Sequence, residues 1–260
     1  EKISALAVTE PGAGSDVAQL ATTAKREGDH YVVNGAKMFI TSGMRADWYT
    51  VAVRTGGPGA AGVSLLGIER DTPGFTRTEL KKMGWWASDT AELHFDDCRV
   101  PASNLIGAEG QAFPLIMRNF NGERLTLAAS ACGAAQACLE DAVEWARSRK
   151  TFGQPLIGHQ VIRHKLVDMV ERIEATRALI DDLASRLDAG EQPIAQTAMA
   201  KNHAARTMQF CADAAVQILG GSGYMRGVRV ERIYREVKVM MIGGGAEEVL
   251  KDLAARQLGF

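Results

Sequence analysis

The chain has 260 residues, enough for one large domain or two ordinary ones, and its 46% hydrophobic and 23% charged residues are those of a globular protein. A formal net charge of −1 gives no electrostatic footing for nucleic acid or an anionic membrane surface. Cys98, Cys132, Cys138 and Cys211 show neither CxxC nor metal-ligand spacing, so they read as reduced, buried, intracellular thiols and no metal site is expected. No run is long and apolar enough to span a bilayer, and no signal peptide is visible, although the first residue is Glu1 rather than Met.

Composition changes character near residue 110, where β-branched runs set between Gly, Pro and Asp give way to long helical patterns. The chain opens with ALAVTEPGAGSD (5–16), a short apolar run followed by a Gly-rich loop. Such a loop lets backbone N–H groups approach a ligand or simply turns at the surface, and it is neither GxGxxG nor a Walker loop. YVVNGAKMFITSG (31–43) reads as a hairpin, two β-rich runs joined at Asn34-Gly35. Further strands are expected in 48–54, 62–69 and 90–96, with Trp85-Trp86 more often packing than a platform. Short, turn-separated strands without intervening helices predict a small antiparallel β-barrel or sandwich over 1–108, with RVPASNLIG (99–107) as its exit.

The helical part, 109–260, is expected to be a bundle. Its first helix, from about Gln111 to Lys150, tolerates Pro114 only in its first turn. Asn119, Glu123, Thr126 and Ser130 form a narrow polar stripe along it, flanked by Ile116, Leu125, Leu127 and Ala129. A carboxylate on such a buried helix is either paired, with Arg124 or a distant Lys, or lines a cavity. Ile162, Leu166, Met169, Ile173, Ile180, Leu183 and Leu187 mark one face of a second helix, which Gly190 and Pro193 end. Helices follow over 194–219, 228–242 and about 246–257, the last fed by Gly243-Gly244-Gly245, a plausible anion or cofactor cradle.

The segments VTEPGAGSD (8–16), NGAKMFITSG (34–43), RVP (99–101), GERLTLAA (122–129), RKTFGQPL (149–156) with His159-Gln160, QILGGSGY (217–224) and VERIYRE (230–236) are each weak alone. In this order and spacing, across the whole chain, they resemble the acyl-CoA dehydrogenase flavoprotein family. The resemblance implies a β-domain followed by a C-terminal four-helix bundle, FAD between them, and a homotetramer built as a dimer of dimers. It implies α,β-dehydrogenation of an acyl-CoA thioester, with a carboxylate removing the α-proton, flavin N5 taking the β-hydride, and electrons leaving to an electron-transferring flavoprotein. Cofactor contacts would come from Leu6, Val8, Thr9, Gly14 and Ser15, and from Phe39, Ile40 and Thr41 over the isoalloxazine. Arg149, Phe152 and Gln160 of a neighbouring subunit would reach the ADP half, with Gln217, Gly220 and Gly221 alongside and Ala246 and Glu248 at the last helix. Substrate contacts would fall on Ser15, Asn121, Arg124, Gly244 and Gly245.

Most members of the family carry the base directly before a Gly-Thr pair, a slot that is Gly244 here. A minority, resembling the isovaleryl-CoA and long-chain enzymes, carry a Glu on the long helix just before its Arg. That residue is Glu123, which is therefore expected to be the base, buried and shielded from water. The chain departs from the pattern at Ala246, usually Thr, and at Arg235-Glu236, usually Arg-Asp. The family's N-terminal helical domain is absent from these residues, so activity of this stretch alone does not follow. Two other readings use the same fold: a flavin oxidase or monooxygenase, against which Glu123 argues, and a non-catalytic assembly protein, which Ala246 and the absent domain favour. Acyl length and branching are not legible, and Ala- and Arg-rich helices point to a bacterial cytoplasm rather than a mitochondrial matrix.

Overall fold

A computed structural model describes residues 2–260, and the chain divides into two compact units at 118/119. The first is a sheet. Its strands are β1 (Ser4–Ala7), β2 (Thr23–Glu27), β3 (His30–Thr41), β4 (Trp48–Arg54), β5 (Val63–Glu69), β6 (Phe75–Glu79), β7 (Thr90–Pro101) and β8 (Leu105–Ile106). They order as β6-β7-β3-β2-β4-β5-β8, and β1 pairs with β4. Most ladders are antiparallel, as the turn-separated strands imply, but β1–β4 and β2–β4 run parallel.

Alternation of side chains across the pleat places Tyr31, Val33, Tyr49, Val51, Val53, Leu66, Ile68, Leu93 and Phe95 in one buried layer. Phe75 stands edge-on to Tyr49 at 4.8 Å between ring centroids and stacks on Phe95 at 4.9 Å. Such pairs add about 0.5–1.5 kcal/mol beyond area burial.

The hairpin expected at Asn34-Gly35 does not form. Strand β3 runs unbroken through both residues, and the chain reverses instead at Gly28-Asp29, where Glu27 faces His30 and Gly28 has φ +66°. At Asn34-Gly35 the β3–β7 register shifts. Asn34 donates from Nδ2 to Asp97 and accepts from the Asp97 amide, so its side chain holds the bulge on the facing strand. Long-range pairing with two strands thus overrides a local turn preference. Gly35 is required at φ +144°, because a Cβ there would lie 2.7 Å from the Thr22 backbone. Gly35→Ala is expected to lower stability by more than about 1 kcal/mol in urea titration.

The second unit is helical: α1 (Ala112–Ser148, its first seven residues counted with the sheet unit), α2 (Gln160–Asp188), α3 (Ile194–Leu219), α4 (Arg229–Ile242) and α5 (Glu247–Leu258). A small hairpin, β9 (Lys150–Thr151) and β10 (Gln154–Pro155), follows α1. Pro114 is the third residue of α1, within the turn that needs no internal donor. Along α1, Ala128, Ala131, Cys132, Ala135, Cys138, Leu139, Ala142 and Ala146 are buried at steps of three and four. Helix α3 lies at the centre, packed against α2, α4 and α5. Its buried face is mostly alanine, with Thr207 bonded to Thr176 of α2 at 2.9 Å. Two charged or amide side chains, Lys201 and Asn202, share that buried face. Among the described residues no helix is long and apolar enough to cross a membrane, and no His/Cys/Asp/Glu group could hold a metal.

Candidate active site

In the sheet unit the Gly-rich loop is stitched to β3. The Met38 amide donates to the Thr9 carbonyl at 2.8 Å, and the Lys37 ammonium donates to the Val8 carbonyl at 3.0 Å. Lys37 has no exposed surface and forms an ion pair of 2.7 Å with Glu10, itself 6% exposed. Glu10 also accepts from the amides of Ala21, at 2.6 Å, and Thr22, at 2.9 Å. Burial pulls the Lys37 ammonium down to about 8 against the upward pull of Glu10. For Glu10 burial pushes up, but Lys37 and the Ala21 amide outweigh it, leaving the carboxyl below its ordinary value.

This stitching fixes the next residues of β3. Between Lys37 and Ile40 the register shifts again, and Phe39 sits at φ +61° with its ring 68% exposed. A bulky residue in left-handed backbone holding its ring in solvent is strained, and such strain concentrates where a ligand is met. Ile40 and Val8 are buried, whereas Gly14, Ser15 and Thr41 are exposed and Leu6 and Thr9 half-buried.

In the helical unit the polar stripe is present but faces the other way from expectation. Glu123 is exposed, accepting a 2.7 Å hydrogen bond from Asn119 Nδ2 one turn earlier. Among the described residues it forms no hydrogen bond or ion pair with Arg124 or a lysine. Arg124 is the buried member, pointing about a quarter-turn away. Its Nε donates to the Gly244 carbonyl at 3.0 Å and Nη1 to Asn121 Oδ1 at 2.7 Å, so both expected substrate contacts, Asn121 and Arg124, also bond each other. Burial pulls the Arg124 guanidinium below its ordinary value, partly opposed by Glu123.

The tri-glycine segment before α5 is held from two helices. Lys201, 1% exposed on α3, donates from Nζ to the Gly245 carbonyl at 2.8 Å. Burial, then repulsion from Arg124, brings the Lys201 ammonium down to about 8, with Glu247 opposing. Asn202 donates to the Glu247 carbonyl at 3.0 Å while its Oδ1, buried, has no partner. Gly244 has φ +69°, and a Cβ on it would lie 2.6 Å from Leu127 Cδ1. A side chain at 244 would require the end of Leu127 to swing aside and would sit on a left-handed backbone. Gly245, at φ +112°, would collide with Leu250. Ala246 is half-buried and Glu248 exposed in the first turn of α5.

Arg149, Gln160 and Gln217 are exposed, as are Gly220 and Gly221. Phe152, at φ +52° on the tip of the β9–β10 hairpin, is 97% exposed and leans edge-on to His159. A ring so placed has no partner of its own among the described residues but His159.

Comparison with known proteins gives this arrangement its family. The acyl-CoA dehydrogenase middle-domain family matches residues 5–98, and the acyl-CoA dehydrogenase C-terminal-domain family matches residues 110–259. The chain belongs to the acyl-CoA dehydrogenase family. It is similar to the mitochondrial isobutyryl-CoA dehydrogenases of Dictyostelium discoideum (42% identical, 99% of this chain, 63% of that one) and Bos taurus (41%, 99% and 62%). Its backbone is similar to the crystal structure of acyl-CoA dehydrogenase from Geobacillus kaustophilus, with a TM-score of 0.97 at 41% identity, covering 99% of this chain and 69% of that one. The chain thus spans less than two thirds of the length of these two curated relatives.

Acyl-CoA dehydrogenases are FAD flavoproteins, and the residues here fit that group. Phe39 offers an uncovered aromatic face beside the stitched loop, where a planar ring can stack. Gly14 and Ser15 are exposed in the same loop, whose Thr9 carbonyl takes the amide of Met38, the residue before Phe39. The buried Lys37–Glu10 pair was missed by motif reading, although Lys37 keeps the odd-numbered phase of Tyr31 and Val33 and so falls on the buried face. Lys201 was missed likewise, although it lies three residues after Ala198 and four before Ala205 on the buried stripe of α3.

Proposed function

We propose that this chain carries the catalytic base and much of the cofactor site of an FAD-dependent acyl-CoA dehydrogenase, with Glu123 as the base. One observation carries the reading: the two places available to a carboxylate are decided oppositely in this chain. Gly244 has no side chain and a left-handed backbone that disfavours one, while Glu123 stands exposed and accepts a hydrogen bond from Asn119.

In the proposed reaction the Glu123 carboxylate takes the α-proton of the thioester. The electron pair of that C–H bond becomes the Cα=Cβ bond as the β-hydrogen departs with its pair, giving the trans-2-enoyl thioester. FAD, when bound, supplies the acceptor for that hydride. Asn119 orients the carboxylate, and Arg124, the next residue along the helix, fixes the Gly244 carbonyl. An exposed carboxylate is a weak base toward carbon, so the bound acyl group must exclude water from Glu123. Loop residues Leu6, Val8, Thr9, Gly14 and Ser15, with Phe39, Ile40 and Thr41, are proposed to hold the flavin. Arg149, Phe152 and Gln160, in trans within a homotetramer, are proposed to hold its ADP half with Gln217, Gly220 and Gly221 alongside, and Ala246 and Glu248 are proposed cofactor contacts at the last helix. Ser15, Asn121, Arg124, Gly244 and Gly245 are the proposed substrate contacts. An electron-transferring flavoprotein is the proposed acceptor, and the helix composition supports a bacterial cytoplasmic setting.

Relatives named for isobutyryl-CoA make α-branched acyl groups the first substrates to try. The test is anaerobic titration of FAD-loaded protein with short, long and α-branched acyl-CoAs. Bleaching of the flavin spectrum is expected, strongest with an α-branched chain. A protein that takes up FAD but is bleached by none of them would refute the reading.

A further inference from the structure

Two cations meet behind the tri-glycine segment, and no buried carboxylate answers them. Arg124, 7% exposed, holds the Gly244 carbonyl, and Lys201, 1% exposed, holds the next carbonyl, that of Gly245. The acids acting on the pair are Glu123 on Arg124 and Glu247 on Lys201. Glu247 is already bonded to Arg206 and Lys251. Among the described residues, no carboxylate forms an ion pair with either Arg124 or Lys201.

A buried charge is tolerated when something opposes it, and here the direct hydrogen-bond partners of the two cations are neutral oxygens, those of Gly244, Asn121 and Gly245, with Glu123 and Glu247 acting only at longer range. For holding the loop in place, one neutral donor per carbonyl would serve. A lysine costs more than a glutamine at a position with 1% exposure, so its charge needs a reason beyond the hydrogen bond. The proposed reaction offers one. When the α-proton passes to Glu123, the carboxylate loses its negative charge and the thioester oxygen gains one. The local field then has Arg124 and Lys201 with Glu123 no longer opposing them, at the moment the oxyanion forms.

We propose that Lys201 is a positioning residue whose charge, acting through the Gly245 carbonyl and together with Arg124, favours the thioester enolate over the neutral thioester. This rests on the proposed function, since it needs Glu123 to be the proton acceptor.

The probe is a 3-thiaacyl-CoA, which loses its α-proton but has no β-hydrogen to give up. Proton transfer to Glu123 on the FAD-loaded protein produces a long-wavelength charge-transfer band, which measures enolate formation without turnover. Lys201→Gln keeps a hydrogen-bond donor and removes the charge, and Lys201→Arg keeps the charge. At one fixed pH near neutrality, Lys201→Gln is expected to lower the equilibrium for enolate formation at least ten-fold, with FAD content and melting temperature near wild type. Lys201→Arg is expected to recover most of the loss. An unchanged band in Lys201→Gln, beside a normal wild-type band, overturns the role of Lys201 and leaves Glu123 as base standing. A Lys201→Gln protein that fails to fold or loses FAD also overturns it, because Lys201 would then serve the fold rather than the field. A wild-type protein that holds FAD and binds the probe without any band overturns the functional reading, and this inference falls with it.

Discussion

Glu123→Gln is expected to retain FAD and bind acyl-CoA while losing roughly 10²–10⁴-fold in the rate of flavin reduction, the usual worth of a positioned general base. Glutamine keeps the size of the side chain and an oxygen that Asn119 Nδ2 can still reach, so the structural disturbance is small. The loss should appear in the reduction rate and leave substrate affinity nearly unchanged, because what disappears is a proton acceptor rather than a contact. Stopped-flow reduction under anaerobic conditions separates the two. Reduction at the wild-type rate would move the base elsewhere, and the chain offers no carboxylate at 244 to receive the role. Installing one there meets both the left-handed backbone of Gly244 and the methyl group of Leu127.

Lys37→Met should have the largest effect on stability. The ammonium lies wholly inside the sheet unit, and removing it leaves the Glu10 carboxylate buried with two amide donors and no cation. Breaking such a pair by deleting one partner costs about 3–5 kcal/mol. The pH dependence gives the assignment its sign. In the wild type the folded Glu10 carboxyl lies below its ordinary 4.5, so its contribution is present above that pH and is lost as pH falls through the folded value. In the variant burial acts unopposed by Lys37, the folded carboxyl moves upward, and acidification now relieves the buried charge. The stability gap between the two proteins should therefore narrow as pH is lowered from 7 toward 5. Chemical denaturation at several pH values measures this, with Glu10→Gln added to Lys37→Met expected to restore part of the loss. A gap that widens on acidification would mean that the pair is not what stabilises the loop. Because Lys37 also holds the Val8 carbonyl next to the strained Phe39, FAD affinity should fall along with stability.

The helical half was legible because its signals are local. Pro193 and Gly220 bracket α3, and period-3.6 burial of Leu166, Met169 and Ile173 defines α2 without reference to anything distant. The strands were legible as strands, yet their pairing was not. Asn34-Gly35 has the composition of a turn, and only the presence of β7 opposite, with Asp97 ready to bond Asn34, makes it a bulge. The parallel pairing of β1 with β4 is invisible for the same reason, since no local pattern encodes which strand becomes a neighbour. In the site, the residue types and the empty slot at 244 could be read in order along the chain. What could not be read was which of two adjacent charged residues on α1 turns inward: Arg124 is buried and Glu123 is not, a matter of helical phase that a polar stripe alone leaves open.

The four cysteines are free and buried, and their thiols are pushed upward by burial, to about 12 for Cys138 and Cys211. Since the thiolate is the reacting form, the folded chain is expected to react only slowly with alkylating and thiol-exchange reagents. That slowness makes the molecule its own blank for labelling: a single cysteine introduced at the tip of the β9–β10 hairpin would carry a fluorophore or spin probe without first stripping out native thiols. It also turns the native four into a reporter, because any labelling they show in an unmodified sample times the opening of the structure around them.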